Sequence, residues 1–269
     1  MVHIKKLKII MISIILAVIA LIPNNVLADG PSYDITNYDM DAYIQEDGTI
    51  HIDESITYYF SSSANGLTRD LRYFYKTNKD SMEPNSARYQ ATGIENITVA
   101  VTNPANITTN FTKASNAEKG DNGVYTVDAV NADRTDGYDI MVYSPISSNN
   151  FQTVHYSYDI TDAVVQYNDM SEIYYNFIGN GIETDVDEFN LDIYLPKSIN
   201  MDDVKYYPHT YATKLEDIQV MLDSASNCIS FNIRNIPSGK PVDARIVFPN
   251  TVLMLSLIHI SEPTRPEPI

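Results

Sequence analysis

The chain has 269 residues, with 18 Lys and Arg against 35 Asp and Glu, a net charge of −17. That charge argues against a nucleic-acid partner, because phosphate neutralisation needs a Lys/Arg surface and no basic cluster follows the first eight residues. One cysteine excludes an internal disulfide framework and a cysteine-rich zinc site, and a hydrophobic content of 44% is too high for a disordered chain.

The N-terminus carries Lys5, Lys6 and Lys8, then an apolar run from Ile9 to Ile22, then Pro23 and Val26-Leu27-Ala28. This order matches a secretory signal peptide over residues 1–28, cleaved after Ala28. The run would make roughly 21 Å of helix, short of the ~30 Å of a hydrocarbon core. An uncleaved N-terminal anchor is the alternative, and either reading exports the rest of the chain. Residues 29–254 hold 14 Lys and Arg against 33 Asp and Glu, a net charge of −19. Such a surface repels nucleic acid and anionic lipid headgroups. The segment is long enough for one exported domain or two subdomains.

Period-two runs dominate this segment. Met40, Ala42 and Ile44 precede the turn Glu46-Asp47-Gly48-Thr49, and Ile50, Ile52, Ile56, Tyr58 and Phe60 follow on one face. Together they read as a hairpin with one buried face. Further alternating runs are Ile97 to Val101, Tyr125 to Val127, Tyr138 to Val142, Val154 to Ile160 and Phe189 to Leu195. The last three run from Ile218 to Leu222, Ile229 to Ile233 and Val242 to Phe248. Short strands punctuated by Asn, Asp, Gly and Pro predict an all-β fold, a β-sandwich of antiparallel strands. Residues 61–96 and 103–123, rich in Ser, Asn, Thr, Lys and Gly, read as long loops. One segment departs from the period. Met170, Ile173, Tyr174, Phe177 and Ile178 fall at helical spacing, with Asp169 and Glu172 placed as a capping box and Gly179 as a C-terminal stop. A short helix is therefore expected near residues 169–178.

Glu54 is the polar residue out of place, since Ile52 and Ile56 flank it on the apolar face. A buried carboxylate must be paired or neutralised, and Arg69 and Arg72 are the nearest cations in sequence. Contact between Glu54 and one of them is expected, as a structural ion pair, a local bulge, or part of a binding or acid/base site. His51, His155 and His209 have no neighbours at metal-ligand spacing, and no serine elbow, phosphate loop or His-Glu-x-x-His motif occurs. Cys228 falls on the polar-facing parity of its strand with no local base to activate it. The acids around Asp133, Asp136 and Asp139, and around Asp185, Asp187 and Glu188, do not follow an EF-hand spacing and read as solvated loops. No metal, no cofactor and no catalytic set is expected. Tyrosines in alternating strands fit sandwich packing, with a sugar-binding groove as the alternative.

Several stretches together resemble a predicted bacterial membrane-protein family, that of domain of unknown function 2207. They are Asp47 to Phe60 followed by Gly66-Leu67-Thr68-Arg69-Asp70-Leu71, then Tyr167 to Gly179, Leu191 to Pro196 and Ala244 to Pro249. The match spans about residues 33–249, and Tyr175 stands where the family often has Trp. The resemblance implies a signal peptide, an exported β domain and later transmembrane helices, with no activity and no catalytic residues to carry over. Glu54 and Arg69 fall on motif positions of unassigned role. With Arg72, Tyr174 and Tyr175 they are the binding candidates. Leu255 to Arg265 resembles instead the translation of a sequencing-library adapter, so residues 255–269 are set apart from the fold. The expectation is an exported, membrane-anchored binding or sensory module at the extracellular side, its ligand or protein partner unknown. The alternative is an extracellular carbohydrate-binding or carbohydrate-hydrolysing domain.

Overall fold

The computed structural model describes residues 32–75, 91–131, 135–167, 169–210 and 214–249. The expected leader, the adapter-like tail and Asp133 lie outside them. Among the described residues, sixteen strands occur in this order: β1 (Tyr33–Ile44), β2 (Ile50–Phe60), β3 (Ala64–Tyr75), β4 (Gly93–Thr102), β5 (Thr108–Asn110), β6 (Thr112–Lys113), β7 (Val124–Asn131), β8 (Thr135–Ile146), β9 (Asn150–Thr161), β10 (Val164–Gln166), β11 (Met170–Ile178), β12 (Val186–Tyr194), β13 (Lys205–Thr210), β14 (Ile218–Asp223), β15 (Cys228–Ile236) and β16 (Val242–Pro249). The fold is all-β, as the alternating runs predict.

One large sheet has the order β14-β15-β12-β1-β2-β9-β4-β5, and two four-stranded sheets have the orders β3-β8-β7-β6 and β10-β11-β16-β13. Pairing is antiparallel except for β1 with β12 and β6 with β7. The large sheet buries one face. Tyr38, Met40, Ala42, Ile52, Ile56, Tyr58, Val154, Tyr156, Tyr158, Phe189, Leu191, Phe231 and Ile233 all point into a single core cluster. Both small sheets contribute to the same cluster through Leu67, Leu71, Ile140 and Val142 on one side and Ile173, Phe177, Ala244, Ile246 and Phe248 on the other. Contacts across the layers fix the order: Arg69 of β3 reaches Glu54 of β2, and Tyr206 of β13 packs edge-on against Phe231 of β15. The Tyr175 hydroxyl of β11 donates to the Arg72 carbonyl of β3, tying the small sheets together.

Two expectations are corrected. The helix expected at 169–178 is β11, paired with β10 and β16. Its residues are buried on both faces, including Ser171, Glu172, Tyr175 and Asn176. A strand covered on both sides loses the polar–apolar alternation of a half-buried strand, and helical spacing then arises by coincidence. The stretch 61–96, taken as loop, holds β3 and the start of β4. β3 alternates Leu67, Arg69 and Leu71 inward, and its central inward position is a cation, which masks the strand signal. Within 103–123 the structure adds the short strands β5 and β6.

Candidate functional site

The inner face of β2 places Glu54 between Ile52 and Ile56, as its parity requires. Across the core, β3 must lie close to β8 to bring its own inward residue into reach. Gly66 permits this approach, because a Cβ there would sit 2.0 Å from the Val142 carbonyl oxygen. Three residues on, Arg69 meets Glu54 in a two-pronged contact, Nε to Oε1 at 2.9 Å and Nη2 to Oε2 at 3.0 Å. Tyr38 of β1 closes the triangle. Its hydroxyl donates to Glu54 Oε2 at 2.5 Å and accepts from Arg69 Nη2 at 2.7 Å. Arg69 Nη1 donates to the Asp70 carbonyl at 2.8 Å.

The cluster is sealed. Glu54 and Arg69 side chains are 0% and 6% exposed. Burial holds the Tyr38 hydroxyl well above its ordinary range, outweighing the opposing Arg69 charge. Burial alone would lower the Arg69 guanidinium, but the Glu54 carboxylate and Tyr38 hold it further in its charged form. Tyr58, Tyr156 and Tyr158 are buried nearby with hydroxyls pushed up by desolvation. The Tyr156 hydroxyl has no hydrogen-bond partner among the described residues. An ion pair this enclosed, its guanidinium turned to the Glu54 carboxylate, the Asp70 carbonyl and the Tyr38 and Tyr158 hydroxyls, ties two layers together.

The other candidates separate. Arg72 does not reach Glu54. Its Nη2 donates to Asp139 Oδ1 at 2.7 Å and its Nη1 to the Tyr138 carbonyl at 3.0 Å, on β8. Tyr175 is a core residue, edge-on to Phe177. Tyr174 lies on the opposite face of β11, 6.0 Å between ring centroids from His209 and in register with Arg245. The sequence reading missed a second pair beside it: Arg245 Nε and Nη2 donate to Glu172 Oε1 and Oε2 at 3.0 and 3.2 Å. Cys228 keeps its outward parity but is buried, and burial pushes its thiol up. Among the described residues, no group of three or more His, Cys, Asp or Glu could hold a metal.

Outside this core, the other face of the large sheet is half-buried or exposed throughout β1, β2, β9 and β12. Register places its polar residues in rows. Tyr43 lies opposite both Tyr194 and His51, and Asp41 opposite both Asp192 and Asp53. The Tyr43 and Tyr194 rings stack at 4.7 Å with 9° between their planes. Burial, Asp41 and Cys228 push the Tyr194 hydroxyl up to about 12. His51 Nδ1 lies 2.6 Å from Asp159 Oδ1, and Ser55 and Thr102 bracket His155 at 2.7 Å each. No single run of sequence signals this face, because its rows cross strands distant in the chain.

The molecule is thus a β-sandwich with a closed polar core cluster and an open polar face. The profile of the family described as Predicted membrane protein (DUF2207) N-terminal domain matches residues 34–248, and the chain belongs to that family. Among the described residues, no helix is long and apolar enough to cross a membrane. A comparison with curated proteins finds no match. Among solved structures, a provisionally named nutrient binding protein from Legionella pneumophila is similar at 10% identity and a TM-score of 0.44, covering 80% of this chain and 67% of that one. An M1 zinc metallopeptidase from Deinococcus radiodurans is similar at 9% identity and a TM-score of 0.36, over 81% of this chain and 42% of that one. A provisionally named protease from Parabacteroides distasonis is similar at 12% identity and a TM-score of 0.44, over 80% and 40%. The chain therefore spans less than half the length of the last two. At these scores none of the three bears on activity.

Proposed function

We propose that this chain is the exported, extracellular part of a membrane protein and serves there as a non-catalytic binding or sensory module. Family membership supports the membrane association, and the basic, then apolar, then small-residue order of residues 1–28 supports export. The observation that carries recognition is the open face of the large sheet, where the stacked Tyr43–Tyr194 pair lies beside His51 and the Asp41, Asp53 and Asp192 row. Aromatic planes among carboxylates and amides on a rigid sheet make a preorganised recognition surface, since strands hold side chains better than loops do. Tyr38 and Glu54 of the buried cluster support that surface from behind, as β1 and β2 carry them on the inner face and the surface residues on the outer one.

The same pair favours a second reading for the ligand class. On the same face, beyond the Asp41–Asp192 row, Asp39, Asn190 and Asn232 are hydrogen-bonded in a row, and tyrosine planes together with such amides and carboxylates suit a carbohydrate. The test is a glycan array probed with the full chain and with a Tyr43→Ala/Tyr194→Ala variant of unchanged unfolding temperature. Glycan binding lost in the variant supports the carbohydrate reading. Binding that survives the double substitution moves recognition off this face. If the array is silent, peptides and small cations are the next probes, and silence there too overturns the binding role of the face.

A further inference from the structure

Sheet edges are where a β-protein is open to another chain, and native proteins guard them with lysine, proline or short strands. Most edges here obey that rule. β13 carries Lys205 and Pro208, β5 and β10 are three residues long, β6 is two, and the long edge β3 breaks register at two places. β14 does not. Its six residues, Ile218 to Asp223, contain no lysine, no proline and no bulge. It pairs with β15 on one side and, among the described residues, ends the sheet on the other.

Its side chains are as open as its backbone. Val220, Met221 and Leu222 are 36%, 70% and 40% exposed, half of the six exposed large hydrophobics among the described residues. Val220 and Leu222 lie opposite Phe231 and Ile229 and so share the core face of the sheet. The second layer reaches β15, where Tyr206 covers Phe231, and leaves those two residues beyond it uncovered. Met221 occupies the opposite face. An added strand would therefore gain backbone hydrogen bonds along the edge and apolar contacts on both faces.

Charge selects the kind of strand. Glu216 and Asp217 precede β14 and Asp223 ends it. Asp223 is held ionised by hydrogen bonds from Ser226 and the Ala225 backbone. Lys214 and Glu216 offset each other and Arg234 is engaged with Glu188, which leaves Asp217 and Asp223 as the acids at the two ends of the strand. A second copy would bring another chain of net charge −17 to an acid-bracketed edge. We propose that β14 accepts an extended segment of another polypeptide, with alternating apolar side chains and basic residues at its ends, as an added edge strand.

The probe is a short synthetic peptide of alternating valine and threonine with lysines at both ends, labelled for fluorescence anisotropy and titrated with the full chain. Saturable binding is expected. It falls at least about tenfold, or 1.4 kcal/mol, in a Met221→Lys/Leu222→Lys variant that guards the edge. A block-ordered peptide of the same composition, unable to present one apolar face, binds as weakly. Met221→Lys alone, at the most exposed position, serves if the double variant fails to fold. Equal affinity for the guarded variant or for the block peptide overturns the proposal, as does a failure to saturate. A dimer of the chain that the guarding substitutions dissolve assigns the edge to a second copy and overturns it equally.

Discussion

Two glutamate–arginine pairs in this fold have the same two-pronged chemistry and different settings. Glu54–Arg69 joins strands of different sheets across the core. Glu172–Arg245 joins neighbouring strands of one small sheet, and its arginine is 28% exposed against 3% for its glutamate. The first pair has lost the hydration of both ions, so Glu54 depends on Arg69 and Tyr38, and Arg69 on Glu54, Tyr38 and the Asp70 carbonyl. The second keeps water at one partner. The comparison separates what geometry fixes, a fork on a carboxylate, from what burial fixes, the penalty for breaking it.

Removing the cation from each pair breaks or sharpens that difference. Arg69→Ala leaves a carboxylate in the core with only a phenol to bind it, and is expected to lower unfolding free energy by about 3–5 kcal/mol. Urea denaturation measures it. A Glu54→Met/Arg69→Met variant, which removes both charges and keeps apolar volume, should recover most of the loss, because a buried pair brings little net stability over a hydrophobic replacement. A loss under about 1 kcal/mol for Arg69→Ala would mean that water reaches Glu54 and that the cluster is not sealed. Arg245→Ala, by contrast, opens a path for solvent to Glu172, so about 1–2 kcal/mol is expected. Equal losses at the two sites would erase the distinction.

How these pairs could be read from sequence differs for the same physical reason. Glu54 stands out because one carboxylate interrupts a period-two apolar face, and a desolvated charge demands a partner. The Gly66-x-x-Arg69 spacing puts a cation within reach, but choosing Arg69 over Arg72 needs the register of β3 on β8, which turns Arg72 to Asp139. Glu172 gave no such signal. β11 is covered on both faces, so its polar and apolar residues lose their alternation and the helical spacing of Ile173, Tyr174 and Phe177 takes over. The strand runs themselves are legible wherever one face meets core and the other meets water, as in β2, β9 and β12. The open face is illegible for a different reason. The β1–β2 hairpin sets Asp41 opposite Asp53, but Asp192 joins them only through a parallel pairing of β1 with β12 that no local pattern encodes.

That row supplies the smallest effect and the opposite sign. Partial burial first, then Asp192, Asp53 and Asp39, raise the Asp41 carboxyl above the ordinary range, and only a bond from Tyr43 opposes them. A carboxyl raised in the folded state costs stability once the pH is above its folded value, because the folded chain then holds like charges on adjacent strands. Below the unfolded value both states are protonated and the cost disappears. Asp41→Asn is therefore expected to stabilise the chain by a few tenths of a kcal/mol at neutral pH, with the gain fading as pH falls through the acid range. Thermal unfolding of the two proteins across that range checks it. A gain that persists in acid would be a packing effect rather than repulsion. A loss at neutral pH would mean that the charged carboxylate is favoured in the fold, and the open face would then be built for structure, with no standing tension for a cationic or hydrogen-bonding ligand to relieve.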